Sequence, residues 1–200
     1  MNTAHSVEAA VRVTDAWVRH HRPQQDAMVE LYLGDEVSAL AFGAGAQALQ
    51  TALLPLGLRA LSDQFFPAGQ LNALSIERAI TEVEDVVMPW HNKLPEGACL
   101  FGRDAAITQL AQWAGWPNQN APWQLTTEAV EALFNRWVAR AQGRPASQDA
   151  LPMDGPFSAA LLVLRECLHH LGFDGITVLP MAASDTDAHG PAPSESHSWK

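Results

Sequence analysis

The sequence predicts an α+β fold, mostly helical, with a small sheet set around one buried helix, and three observations carry that prediction. The segment 157–173, FSAALLVLRECLHHLGF, is apolar on almost every side of a helical winding. The segments 75–88 and 127–141 each carry a single apolar stripe at helical spacing. Two short runs, 28–33 (MVELYL) and 37–42 (VSALAF), read as strands joined through Gly34 and Asp35, as in a β-hairpin.

The central helix, 157–171, is bounded by its ends. Pro156 suits a first helical position, where its missing N–H is not needed, and Gly172 suits the left-handed stop after the last turn. Phe157, Leu161, Leu164, Leu168 and Leu171 form one stripe, while Leu162 and Val163 cover the opposite side, so the first half has no face for water. A helix of that kind belongs in the interior. Its end, RECLHH, turns abruptly polar, and charged groups on a buried helix must find partners or change protonation.

Taken in order, Val7, Ala10, Val11, Trp17 and Val18 mark a first amphipathic helix with Ser6 as its cap, a basic end at Arg19 to Arg22 and Pro23 after it. The hairpin follows. Residues 46–61 have a helical pattern that Pro55 and Gly57 should kink or divide. Ser75 caps the next helix, whose stripe is Ile76, Ala79, Ile80, Val83, Val86 and Val87, and Pro89 closes it. Residues 94–101 lead to a short strand. Asp104 caps a helix with Ile107, Leu110, Ala111 and Ala114 on one face and Gly115 as its stop. A Pro/Asn/Trp loop spans 116–124, and Thr126 or Thr127 opens a helix carrying Val130, Leu133, Phe134, Trp137, Val138 and Ala141. After the loop 144–155 and the central helix, 176–179 (ITVL) reads as a strand. In total this makes about five or six helices and about three or four strands in one domain, 1–180, with 181–200 a disordered polar tail.

Composition narrows the function. A formal charge of −10 with two lysines, Lys93 and Lys200, leaves no basic stripe for phosphate backbones or anionic lipids, which argues against nucleic acid and against membranes as partners. No apolar run approaches the roughly 20 residues that span a bilayer. Cys99 and Cys167 form no CxxC pair, and a reducing cytoplasmic setting fits them. Alanine-rich usage with arginine over lysine suggests a bacterial source.

Three constellations could carry chemistry. Gly43-Ala44-Gly45-Ala46-Gln47-Ala48 matches GxGxxA, a dinucleotide-binding turn, but Asp63, where the acidic partner should follow a strand, lies in a helical pattern. Glu166, His169 and His170 on the central helix, with the acidic face Glu77, Glu82, Glu84 and Asp85 of the 75–88 helix and with His91, offer carboxylate and imidazole ligands for a metal, Glu82, Asp85 and His91 foremost among the added ligands. The competing reading is a packing network of Arg165, Glu166 and His170. Finally, Trp90, Trp113, Trp116 and Trp123, four of seven tryptophans, lie in or beside loops among polar neighbours, as on an interaction surface or as core residues at element ends. Neither a GxSxG elbow nor an activated cysteine is present, and the sequence leaves any cofactor open. The sequence therefore predicts a non-catalytic accessory or adaptor protein acting on a protein partner or as a homodimer, with a metal-binding protein or metal-dependent enzyme as the alternative.

Overall fold

The computed structural model describes residues 3–45, 49–67, 71–117 and 120–180. The expected polar tail, 181–200, lies outside them. The elements run α1 (Thr3–His21), β1 (Ala27–Tyr32), β2 (Ser38–Ala44), β3 (Gln50–Leu54), α2 (Leu58–Phe65) and α3 (Ala73–Val87), then a 3-10 turn (Met88–Lys93). They continue with β4 (Cys99–Gly102), α4 (Ala105–Trp113), β5 (Trp123–Thr126), α5 (Thr127–Ala141), α6 (Gly155–Leu171) and β6 (Gly175–Val178). The α+β class holds, but the sheet is larger than expected: six strands in the order β3-β2-β1-β4-β6-β5 among the described residues. The three middle strands, β1, β4 and β6, are parallel, while β2, β3 and β5 run antiparallel to their neighbours.

The two extra strands come from segments with weak alternation. Pro55 and Gly57 do not kink a helix over 46–61; they separate β3 from α2, with Gly57 in extended backbone immediately before the helix. β5 begins in the last two residues of the expected loop 116–124, runs on to the Thr126 cap, and pairs with β6, register Leu125↔Ile176. Helix starts also moved. α3 begins under Asn72, whose Oδ1 accepts from the Ser75 N–H at 3.0 Å while the Asn72 N–H donates back to Ser75 Oγ at 3.3 Å, so Ser75 completes a capping box three residues inside. Ser6 lies within α1, which starts at Thr3.

The strand period decides what each sheet face meets. Val29, Leu31 and Leu33 point with Leu100 and Val178 into the main core, which α6 fills and α2, α3, α4 and α5 surround. Met28 and Phe101 face the other way and meet Val18 of α1, while Ala39 and Ala41 of β2 meet Val7 and Val11. The result is three layers: α1, the sheet, and a helical layer centred on α6. Thirteen of the seventeen residues of α6 are buried, as an all-round apolar helix requires. Its ends follow chemistry: Asp154 Oδ1 accepts from the Phe157 N–H at 2.9 Å, and Gly172 takes the left-handed conformation, φ 77°. Its one buried hydroxyl is satisfied, since Ser158 Oγ donates to the Asp154 carbonyl and accepts from Trp137 Nε1 at 3.0 Å. No helix among the described residues is long and apolar enough to cross a membrane.

Candidate functional site

The parallel strands give the sheet two distinct ends. At their carboxyl end, β1 turns back toward β2 and β3 while β4 leads through α4 toward β5, at the other edge of the sheet. Adjacent parallel strands whose connections part in this way mark the usual ligand position of α/β sheets. Asp104 sits there, directly after β4. Its Oδ1 accepts from the Ile107 N–H and its Oδ2 from the Leu33 N–H, both at 2.9 Å, so one carboxylate caps α4 and ties it to the residue following β1. The residue keeps some exposed surface, but its carboxylate is enclosed. Burial pushes it up to about 6, against the opposing effect of backbone N–H donors from Ile107, Leu33 and Ala106.

Glu30, on β1, adds a second perturbed carboxyl. It is 2% exposed, its Oε2 has no hydrogen-bond partner, and removal from water pushes it up to about 8, against the opposing effect of the Thr14 hydroxyl and of Arg103, with the charges of Asp104 and Asp15 raising it further. Both carboxyls therefore exchange protons near neutral pH, the property expected of acid–base groups. Sequence reasoning identified Asp104 only as a cap and passed over Glu30. The signal for Glu30 was present, since an acid standing between Met28 and Tyr32 on one strand face needs an explanation.

The Glu/His groups lie at the opposite end, because α6 feeds into the amino end of β6 and α3 leads toward the amino end of β4. Glu166 is fully buried; its Oε1 pairs with Arg165 Nη1 at 2.5 Å and its Oε2 lies 3.3 Å from His170 Nε2. Arg165 also pairs with Glu131 at 2.8 Å and lies 4.5 Å from the Phe134 ring centre. The carboxylate that α3 contributes is Glu84, whose Oε1 is 3.0 Å from His170 Nε2, and not Glu82 or Asp85. Those two are exposed and line an open groove with Phe65 and Arg78. Glu84 stands among the acidic residues that the sequence offered on this helix, and it continues the stripe Ile76, Ile80 at the next four-residue step. His91 stays outside the triad; its Nδ1 meets the His170 carbonyl at 2.9 Å. His169 is exposed, its ring edge-on to His170 at 5.3 Å.

The other constellations dissolve. Gly43 belongs to β2 and Gly45 immediately follows that strand, residues 46–48 lie outside the described residues, and the next element is strand β3 where a nucleotide-binding turn needs a helix. Trp116 is buried and donates from Nε1 to the Ala121 carbonyl at 3.2 Å, while Trp90, Trp113 and Trp123 are half-buried against the main core. Trp90 also packs on Phe42 and Lys93. Cys167 is buried, and burial pushes its thiol up to about 12, so it is a packing residue.

Compared by sequence, the chain matches no family model and no curated protein. Compared by fold, it resembles a Ppx/GppA phosphatase of Aquifex aeolicus, type II variant, with a TM-score of 0.62 at 15% identity over 82% of this chain and 56% of that one. An exopolyphosphatase from Cytophaga hutchinsonii gives 0.62 at 16% identity with the same coverage, and an exopolyphosphatase-like protein gives 0.56 at 14% identity over 80% and 56%. These findings correct the expectation of a non-catalytic accessory or adaptor protein working by protein–protein interaction: the solved structures that share the fold are named as enzymes, and the four tryptophans pack on the core. At such identities the likeness concerns the fold alone: the chain carries the fold of Ppx/GppA and exopolyphosphatase structures while spanning about 56% of their length.

Proposed function

We propose that this chain is a hydrolase-type domain that binds a phosphate ester or phosphoanhydride where β1 and β4 part. The observation that carries the reading is the Glu30 and Asp104 pair, two carboxyls pushed up to about 8 and about 6 beside the carboxyl ends of those strands. The fold likeness to structures named as phosphatases and exopolyphosphatases supports it. At neutral pH Glu30 keeps its proton and serves as the acid, while Asp104 is largely ionised and serves as the base or as the group that orients water. Arg103, close enough to influence Glu30, supplies a cation toward a phosphate in an otherwise acidic chain. The N–H groups of Leu33 and Ile107 already hold one anion, the Asp104 carboxylate, and are donors of the kind that hold phosphate oxygens. Two free cysteines support work in the cytoplasm.

Phosphate release from inorganic polyphosphate, assayed with magnesium present, tests the reading. Asp104→Asn preserves an acceptor for the α4 cap and is expected to lower release by about 100-fold or more, within the usual worth of an acid–base group. Release that is absent in the parent protein, or equal in the parent and in both Asp104→Asn and Glu30→Gln, would overturn it.

A further inference from the structure

We propose that Glu84, Glu166 and His170 form a binding site for one divalent ion of the zinc or cobalt type, at the opposite end of the sheet from the proposed phosphate site. The donor set is two carboxylate oxygens and one imidazole nitrogen, whose atoms all lie within 4.8 Å of one another. Ligands about 2.1 Å from a tetrahedral ion stand about 3.4 Å apart. The observed separations of 3.0 Å and 3.3 Å from His170 Nε2 to the two carboxylates need only small adjustment.

The surroundings favour a cation in three further ways. Three carboxylates gather around one guanidinium: Arg165 pairs with Glu131 and Glu166, while Glu84 meets only His170, so negative charge is in excess. His170 lies in the last turn of α6, where the helix dipole adds to the attraction of positive charge. Arg165 holds Glu166 Oε1 at 2.5 Å and leaves Oε2 directed toward His170, the arrangement by which an outer partner fixes a metal ligand. Glu166 is fully buried and rigid, whereas the Glu84 and His170 side chains are 33% and 20% exposed, which gives an ion a route in and room for water as a fourth ligand. Bound there, the ion links α3 to α6 and stabilises the helical layer by mass action.

The test uses the full, tag-free chain stripped with a chelator and titrated with cobalt(II), following visible absorption and thermal unfolding, with zinc as competitor. One equivalent is expected to bind, to give the strong visible bands of four-coordinate cobalt, and to raise the melting temperature. His170→Gln and Glu84→Gln, both partly exposed and outside the proposed phosphate site, are each expected to weaken binding at least tenfold, while His169→Gln and Glu82→Gln leave it unchanged. Absence of a saturable single equivalent, or binding that survives both His170→Gln and Glu84→Gln, would overturn the proposal. Because the readout is optical and thermal, it stands or falls separately from phosphate release.

Discussion

Glu30 and Asp104 bind their protons more tightly in the folded chain than carboxyls do in an unfolded one, and the sign of the consequence is definite. A raised folded value contributes stability that is fully present below the ordinary carboxyl range and is lost as pH rises through the folded value, here about 6 for Asp104 and about 8 for Glu30. Glu30→Gln removes the larger part of that dependence. Chemical denaturation at pH 6 and pH 9 should show the variant losing less stability between the two than the parent. A variant as pH-sensitive as the parent would mean that Glu30 is ionised and compensated. Glu166 gives the complementary case. Replacing it with Ala leaves Arg165 facing Glu131 alone and removes a buried ion-pair partner, which costs about 3 to 5 kcal/mol. The thiols give a simpler contrast: alkylation of the native chain should label half-buried Cys99 and reach buried Cys167 only on unfolding.

At the scale of elements, α6 organises the helical layer, and its packing sets what substitutions cost. Leu161 is fully buried, so Leu161→Ala should destabilise by about 2 to 5 kcal/mol in equilibrium unfolding. Gly155 lies so close to α2 that an added Cβ meets the Ser62 side chain and comes within 3.3 Å of its Cα. Gly155→Ala should therefore cost about 1 to 3 kcal/mol, and Ser62→Gly should recover part of it. The elements most legible in the sequence were those with a strong helical stripe and a local end signal: α4 under Asp104, α5 under Thr126, and α6 between Pro156 and Gly172, the Asp154 cap emerging only in the structure. β3 was illegible because it is an edge strand in which only Leu54 is buried and Leu53 is exposed, so its residues lack a core-facing alternation. β5 was hidden by its four-residue length. The candidate sites divide along the same line. Glu166 and His170 share one helix and could be read from spacing, whereas the contact of Asp104 with Leu33 joins residues 71 apart and no local pattern announces it.

For the whole molecule, a parallel core of β1, β4 and β6 puts two chemically different groups of residues at opposite ends of one sheet. The carboxyl end gathers perturbed acids and backbone N–H donors, and the amino end gathers a Glu/Glu/His triad over the α6 terminus. Helix-centred reading favoured the second because ligand types recur at helical spacing, while the first exists only once strands from distant parts of the chain are side by side. Phosphate binding at the carboxyl end is tested by titrating the isotope-labelled chain with pyrophosphate and following the backbone amide resonances. The account predicts saturable shifts at Leu33, Arg103 and Ile107, reduced by Asp104→Asn and absent around His170. Shifts confined to other surfaces, or no saturable shift at Leu33 and Ile107, would contradict it.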